Sequence, residues 1–189
     1  MVYAKYECLE TEHLLLREFR EEDAESYYSR IGSSYDVTRY MRWEPHTSLE
    51  ESKKSIEKIM RRHKEGGYYT WGITLKGDDT IIGRIDLLRF DENDSSCGFA
   101  YMLGSEFWGK GYATEALRAV FTFAFEKMEM ERIDADHMSE NVGSGRVMQK
   151  SGMQHIGKTP SKYEKNGIWY DADEYVISYD TWKAYNGRV

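Results

Sequence analysis

The chain has 189 residues, of which 40% are hydrophobic and 31% charged, with a net charge of −7. That length suits one domain over residues 1–189 with a real core, and the acidic balance excludes a general nucleic-acid binder, which needs a basic face. No apolar run of 18 residues occurs, the N-terminus has no leader-like apolar stretch, and Cys8 and Cys97 stand far from any zinc-like spacing; the expectation is a cytoplasmic protein with no membrane span and no metal.

In chain order, His13 to Arg17 reads as a first strand. Glu21 to Ile31 reads as one helix, with Ala24, Tyr27, Tyr28 and Ile31 on one face at helical spacing and an acidic first turn. Ser33 to His46 reads as a loop holding Tyr35, Tyr40, Met41, Trp43 and Pro45. Thr47-x-x-Glu50 and Ser48-x-x-Glu51 both fit a capping box, so a second helix starts there and runs to about Lys64, where Gly66-Gly67 stops it.

Tyr69, Trp71, Ile73 and Leu75 alternate as in a half-buried strand, and Lys76-Gly77-Asp78-Asp79 supplies turn chemistry. Ile81 to Phe90 and Cys97 to Leu103 continue a meander. A strongly amphipathic helix covers Tyr112 to about Glu129, its apolar stripe being Ala113, Ala116, Leu117, Val120, Phe121, Ala124, Phe125 and Met128. Arg132 to Met138 is a strand, and Asn141 or a neighbour caps a helix ending near Gly152. Gln154 to Tyr163 and Ile168 to Ser178 form a hairpin around Asn166-Gly167, and Asp180 to Tyr185 a last helical turn. Antiparallel strands followed by helix crossovers predict an α+β fold with a mixed, mostly antiparallel sheet and flanking helices.

The most informative stretch is Trp108-Gly109-Lys110-Gly111-Tyr112-Ala113-Thr114, a turn from strand into helix. Two glycines two residues apart let backbone N–H groups turn inward, and a helix start adds unpaired donors and partial positive charge. The combination suits a phosphate or pyrophosphate, with Lys110 adding charge; a plain strand-to-helix turn is the competing reading. Glu115 would repel such a ligand and is expected to point away.

Residues 108–113 resemble the Q/R-x-x-G-x-G/A segment of GCN5-related N-acetyltransferases, and WGKGYATEAL resembles their ribosomal-protein alanine acetyltransferase branch. Glu10 to Glu18, Asn141 to Met153 and Asn166 to Tyr175 resemble further segments of that branch, in order, so the likeness spans nearly the whole chain. The resemblance implies that the strands carrying Tyr101 and Ile133 are parallel neighbours that splay apart to admit the pantetheine of acetyl-CoA. It implies CoA contacts at Met102, Leu103, Trp108, Gly109, Lys110, Gly111, Tyr112, Ala113, Thr114, Asn141, Ser144 and Met148. Met148 stands where many members carry a tyrosine for the leaving thiolate, and Ser144 is the candidate that takes over that role. Gly98 stands where members often carry a glutamate base. Asp86, His137, Tyr163 and Glu164 remain open as alternatives, as does a water relay. The implied reaction is acetyl transfer to a primary amine, such as a basic peptide or a protein N-terminus. A small-molecule acceptor (an antibiotic, a polyamine or an amino acid) or an acyl-CoA-binding module with little catalysis are the alternatives. A monomer or a homodimer fits equally well.

Overall fold

The computed structural model describes residues 4–66 and 68–186, so Gly67 of the expected helix stop lies outside the described residues. Strands β1 (Leu9–Glu10) and β2 (Leu14–Arg17) open the chain. The expected single helix over Glu21–Ile31 is helical but broken into three pieces: a 3₁₀ turn (Glu21–Asp23), α1 (Ala24–Tyr27) and a π turn (Tyr28–Gly32). The break has a local cause at each end. Asp23 accepts from the Arg20 N–H at 2.8 Å, which tightens the start. The Ser33 N–H and hydroxyl both donate back to the Tyr28 carbonyl, at 2.9 and 2.8 Å, which widens the end.

The expected loop contains a short α2 (Tyr35–Thr38), started by Ser34, whose hydroxyl accepts from the Val37 N–H. Helix α3 (Leu49–Glu65) ends on Gly66 at φ 80. Its capping box is displaced by one residue: Glu51 accepts from the N–H and hydroxyl of Thr47 at 2.8 and 2.9 Å, and Ser48 makes no side-chain cap.

Strands β3 (Tyr69–Leu75), β4 (Asp78–Asp91) and β5 (Ser96–Leu103) form the meander. Asp78 and Asp79 belong to β4, so the turn shrinks to Lys76-Gly77. Helix α4 (Tyr112–Glu126) stops three residues before Glu129. There the Met128 N–H reaches back to the Phe123 carbonyl, and Glu129 takes φ 54 to turn the chain into β6 (Arg132–Met138). Helix α5 (Val142–Lys150), strands β7 (Gln154–Lys165) and β8 (Ile168–Ser178), and α6 (Tyr179–Asn186) complete the described chain. Asn166 and Gly167 both adopt positive φ, 54 and 77, as the Asn-Gly signal demands.

The eight strands lie in the order β1-β2-β3-β4-β5-β6-β8-β7. Every neighbouring pair is antiparallel except β5–β6. That parallel pair runs only from Ser96↔Arg132 to Gly98↔Asp134 and then parts. On one face, α4 packs its stripe of Ala116, Leu117, Val120, Phe121, Ala124 and Phe125 onto Trp71, Ile85, Phe99 and Ile133. On the other face, Tyr27, Ile31, Ile56 and Ile59 cover Ile81 and Met102. A third cluster joins Met138, Tyr163 and Ala172 with Tyr40 and Tyr170.

Candidate active site

Beyond Gly98, the edge of β5 that faces β6 has no strand partner among the described residues, and β5 leads through the glycine turn into the start of α4. Gly109 and Gly111 hold φ 75 and 88, and a Cβ at either would meet no protein atom within 4 Å. The left-handed backbone, not crowding, demands glycine there. The first intrahelical bond runs from the Glu115 N–H to the Gly111 carbonyl, so the N–H groups of Tyr112, Ala113 and Thr114 precede it and face out of the helix end.

The neighbours of this turn are arranged to leave it open. Trp108 is 45% exposed, and its indole N–H donates to the Leu103 carbonyl at 2.7 Å; it ties the loop to β5 from outside the core. The Lys110 ammonium lies 5.3 Å from the Phe107 ring centre. Glu115 turns away, as its charge requires, accepting from the Thr11 hydroxyl at 2.6 Å and from the His13 N–H at 2.8 Å. Burial raises the Glu115 carboxyl, and the Thr11 and His13 donors outweigh that, leaving its pKa below the ordinary value. A folded pKa below the unfolded one contributes stability at neutral pH that is lost as the pH falls through the folded value. The variant Glu115→Gln is therefore expected to flatten the acid limb of a stability–pH profile; an unchanged limb in urea titrations would refute this anchoring role.

Asn141 caps α5, its side-chain oxygen accepting from the Ser144 N–H at 3.2 Å. This fixes Ser144, 9% exposed, at the start of the helix and against the gap. The Ser144 hydroxyl pairs with the Tyr101 hydroxyl of β5 at 3.3 Å, a contact that spans the two sides of the opening. Burial pushes the Tyr101 phenol up to about 12, and the Ser144 contact only partly offsets it. Met102 lies on the opposite face, where the Tyr27 hydroxyl comes within 3.8 Å of its sulfur, and Leu103 and Met148 pack in the main core.

The four base candidates separate. Asp86, 2% exposed, accepts from the Thr70 hydroxyl at 2.6 Å and from Arg84 at 2.9 Å, so its charge is already matched on the α1–α3 face. His137 is 8% exposed on the α5 face; its Nδ1–H donates to the Met138 carbonyl at 2.7 Å, and Nε2 has no partner among the described residues. Glu164 accepts from the Gly167 N–H at 2.6 Å and serves the hairpin turn. Tyr163 donates to the Asp136 carboxylate, which also takes the Lys162 ammonium at 2.7 Å. Burial raises the Asp136 carboxyl, but Lys162 and Tyr163 hold it below the usual carboxylate range. At the Gly98 position the Arg89 guanidinium lies 2.5 Å from where a Cβ would stand, so a side chain there requires Arg89 to swing aside.

The aromatic segment before α3 reaches the last hairpin. Lys165 donates to the Thr38 carbonyl at 3.0 Å and pairs with Glu44 at 3.3 Å, and the Arg42 guanidinium stacks over the Tyr163 ring. Tyr101 and Asp136 were not among the sequence candidates for chemistry. Strand alternation carries a signal for both, since it puts Tyr101 on the α5 face and Asp136 on the other.

The site thus consists of a glycine turn feeding a helix N-terminus, an unpaired strand edge, and a capped serine. Residues 13–154 match the acetyltransferase (GNAT) domain model, and the chain belongs to this acetyltransferase family. It is similar to the uncharacterized N-acetyltransferase YnaD of Bacillus subtilis, 30% identical, over 91% of this chain and 97% of that one. It is also similar to the Escherichia coli [ribosomal protein uS5]-alanine N-acetyltransferase, 25% identical, over 86% of each. Its fold is that of the ribosomal α-N-protein acetyltransferase RimL solved in complex with coenzyme A, with a TM-score of 0.82, 19% identity, and 93% of this chain covering 99% of that one.

Proposed function

We propose that this chain moves an acetyl group from acetyl-CoA to a primary amine, and that the amine is the α-amine of a protein N-terminus. The observation that carries the proposal is the edge of β5 from Phe99 to Leu103, which has no strand partner among the described residues, with the glycine turn at one end and Ser144 beside it. An extended ligand adds to such an edge as another strand does. Its anionic end then meets the N–H groups of Tyr112, Ala113 and Thr114 and the positive end of α4. Acetyl-CoA supplies an activated acyl carbon. The protein supplies alignment, donors at the carbonyl from the β5 backbone, and a hydroxyl at the sulfur from Ser144. The activities for which the uS5-alanine enzyme and RimL are named support a protein amine as acceptor.

The test is calorimetric titration with acetyl-CoA, followed by thiol release against basic N-terminal peptides, polyamines, amino acids and aminoglycosides. Release on a peptide α-amine supports the proposal in full, and release only on a small amine moves the acceptor to that class. Absence of binding overturns it. Within this reading, Ser144→Ala is expected to lower kcat by about ten- to a hundredfold, the value of a hydrogen bond to a charged group, with little change in the KM for acetyl-CoA. An unaltered kcat returns Ser144 to a structural role.

A further inference from the structure

Ser144 does not act alone in this arrangement. Its backbone is fixed by the Asn141 cap, and its hydroxyl has Tyr101 on the far side of the gap at 3.3 Å. Tyr101 sits on β5, three residues past the last residue paired with β6, so its ring stands where the two strands have parted. The ring is held by Phe99, stacked at 6.4 Å and 23°. A phenol is more acidic than an alcohol, so in this pair the Tyr101 O–H donates and the Ser144 oxygen accepts. One consequence is directional: the Ser144 hydrogen cannot point back at Tyr101, and is free for a ligand in the gap. Another is electronic, because a hydroxyl that accepts a hydrogen bond becomes a better donor.

We infer that Tyr101 is a positioning residue for acyl transfer, a donor to Ser144 that aims and strengthens the serine hydroxyl toward the departing sulfur. This rests on the acetyl-CoA reading given above. In the step it serves, the amine lone pair forms the N–C bond and the C–S bond breaks with its electron pair going to sulfur. The surplus amine proton passes to solvent, and the sulfur leaves as the thiolate of CoA. The Ser144 O–H then bears on a full negative charge, where a donor has its greatest value. Burial keeps the Tyr101 phenol protonated well above neutral pH, so this donor persists across the working range.

The experiment compares binding of CoA with binding of desulfo-CoA, in which hydrogen replaces the thiol, by calorimetry at rising alkaline pH, across which the CoA thiol ionises while the Tyr101 phenol, pushed up to about 12, keeps its proton. The difference isolates what the protein does at sulfur. The native chain is expected to favour CoA by about tenfold, consistent with a hydrogen bond to an anion. Ser144→Ala is expected to erase that preference. Tyr101→Phe, which keeps the ring and its packing, is expected to reduce it about threefold, and to lower kcat about fivefold at an unchanged KM for acetyl-CoA, as the loss of one neutral hydrogen bond predicts. The double variant is expected to match Ser144→Ala alone, since the two hydroxyls act as one chain. A full preference for CoA in Tyr101→Phe overturns the inference, as does an equal loss of affinity for both compounds, which marks the tyrosine as packing only. Native protein that binds both compounds equally also overturns it while leaving the acetyltransferase reading intact. Native protein that binds neither removes that reading, and this inference with it.

Discussion

Gly111→Asp is expected to fold and to lose affinity for CoA by a hundredfold or more. Gly111 holds φ 88 at the start of α4, so any side chain there strains the backbone, by roughly 1–2 kcal/mol. Nothing in the protein lies within 4 Å of the new Cβ, so the fold has space for it. Under the proposed function that space is the ligand's. A carboxylate at about 4 Å from a phosphate costs about 4 kcal/mol at an effective dielectric of 20, more than the hundredfold requires. Aspartate often serves as a helix cap, but capping needs extended backbone, which a left-handed residue does not provide. Gly111→Ala separates the two contributions: it carries the strain without the charge and is expected to lose stability but only part of the affinity. Calorimetry and thermal unfolding on both variants check this. Unchanged CoA affinity in folded Gly111→Asp would place the phosphates elsewhere.

Asp23→Ala is expected to give the largest loss of stability, about 3 kcal/mol in urea unfolding. Arg17 is 3% exposed, and its guanidinium meets both Asp23 oxygens at 2.8 Å. Those bonds raise the Arg17 pKa above its ordinary value against the opposing effect of burial. Removing Asp23 leaves a buried cation whose remaining carboxylate partner, Asp79, is largely exposed. It also frees the Arg20 N–H that starts the first helical turn. For a chain of this size, 3 kcal/mol corresponds to a melting temperature lower by about 10 °C. A loss under about 1 kcal/mol would mean that Asp79 and the Glu18 carbonyl suffice for Arg17.

These variants mark what the sequence made legible. The glycine turn, the α4 stripe, the alternation in β3 and the Asn-Gly hairpin were readable because each depends on neighbours within a few residues. The broken first helix was not, because the spacing of Ala24, Tyr27, Tyr28 and Ile31 suits a continuous helix equally well, and the break is set by side-chain hydrogen bonds of Asp23 and Ser33 that apolar spacing does not report. The displaced capping box shows the same limit at one-residue scale: the glutamate was right, and its partner was Thr47. At the candidate site, Asn141 and Ser144 stood out through the family resemblance, and Asn141 also as a residue suited to cap a helix. The neutralisation of Asp86 by Arg84 is an i, i+2 pair on one face of β4, with a local signature in strand alternation, whereas the approach of Arg89 to Gly98 joins two strands and has none. Tyr101 looked like one more apolar strand residue, and only the meeting of β5 with α5 gives its hydroxyl a partner.

The parting of β5 from β6 also divides the molecule mechanically. On one side lie five strands, on the other three, and the backbone ladder that stitches them is only three residues long. The seam is the shortest ladder in the interior of the sheet and coincides with the opening to the candidate site. A ligand seated there touches both halves and acts as a missing rung. Whatever it contributes in affinity for the folded state raises resistance to unfolding by the same free energy. Under the proposed function, catalytic readiness and mechanical cohesion are therefore one property, set by occupancy of the seam.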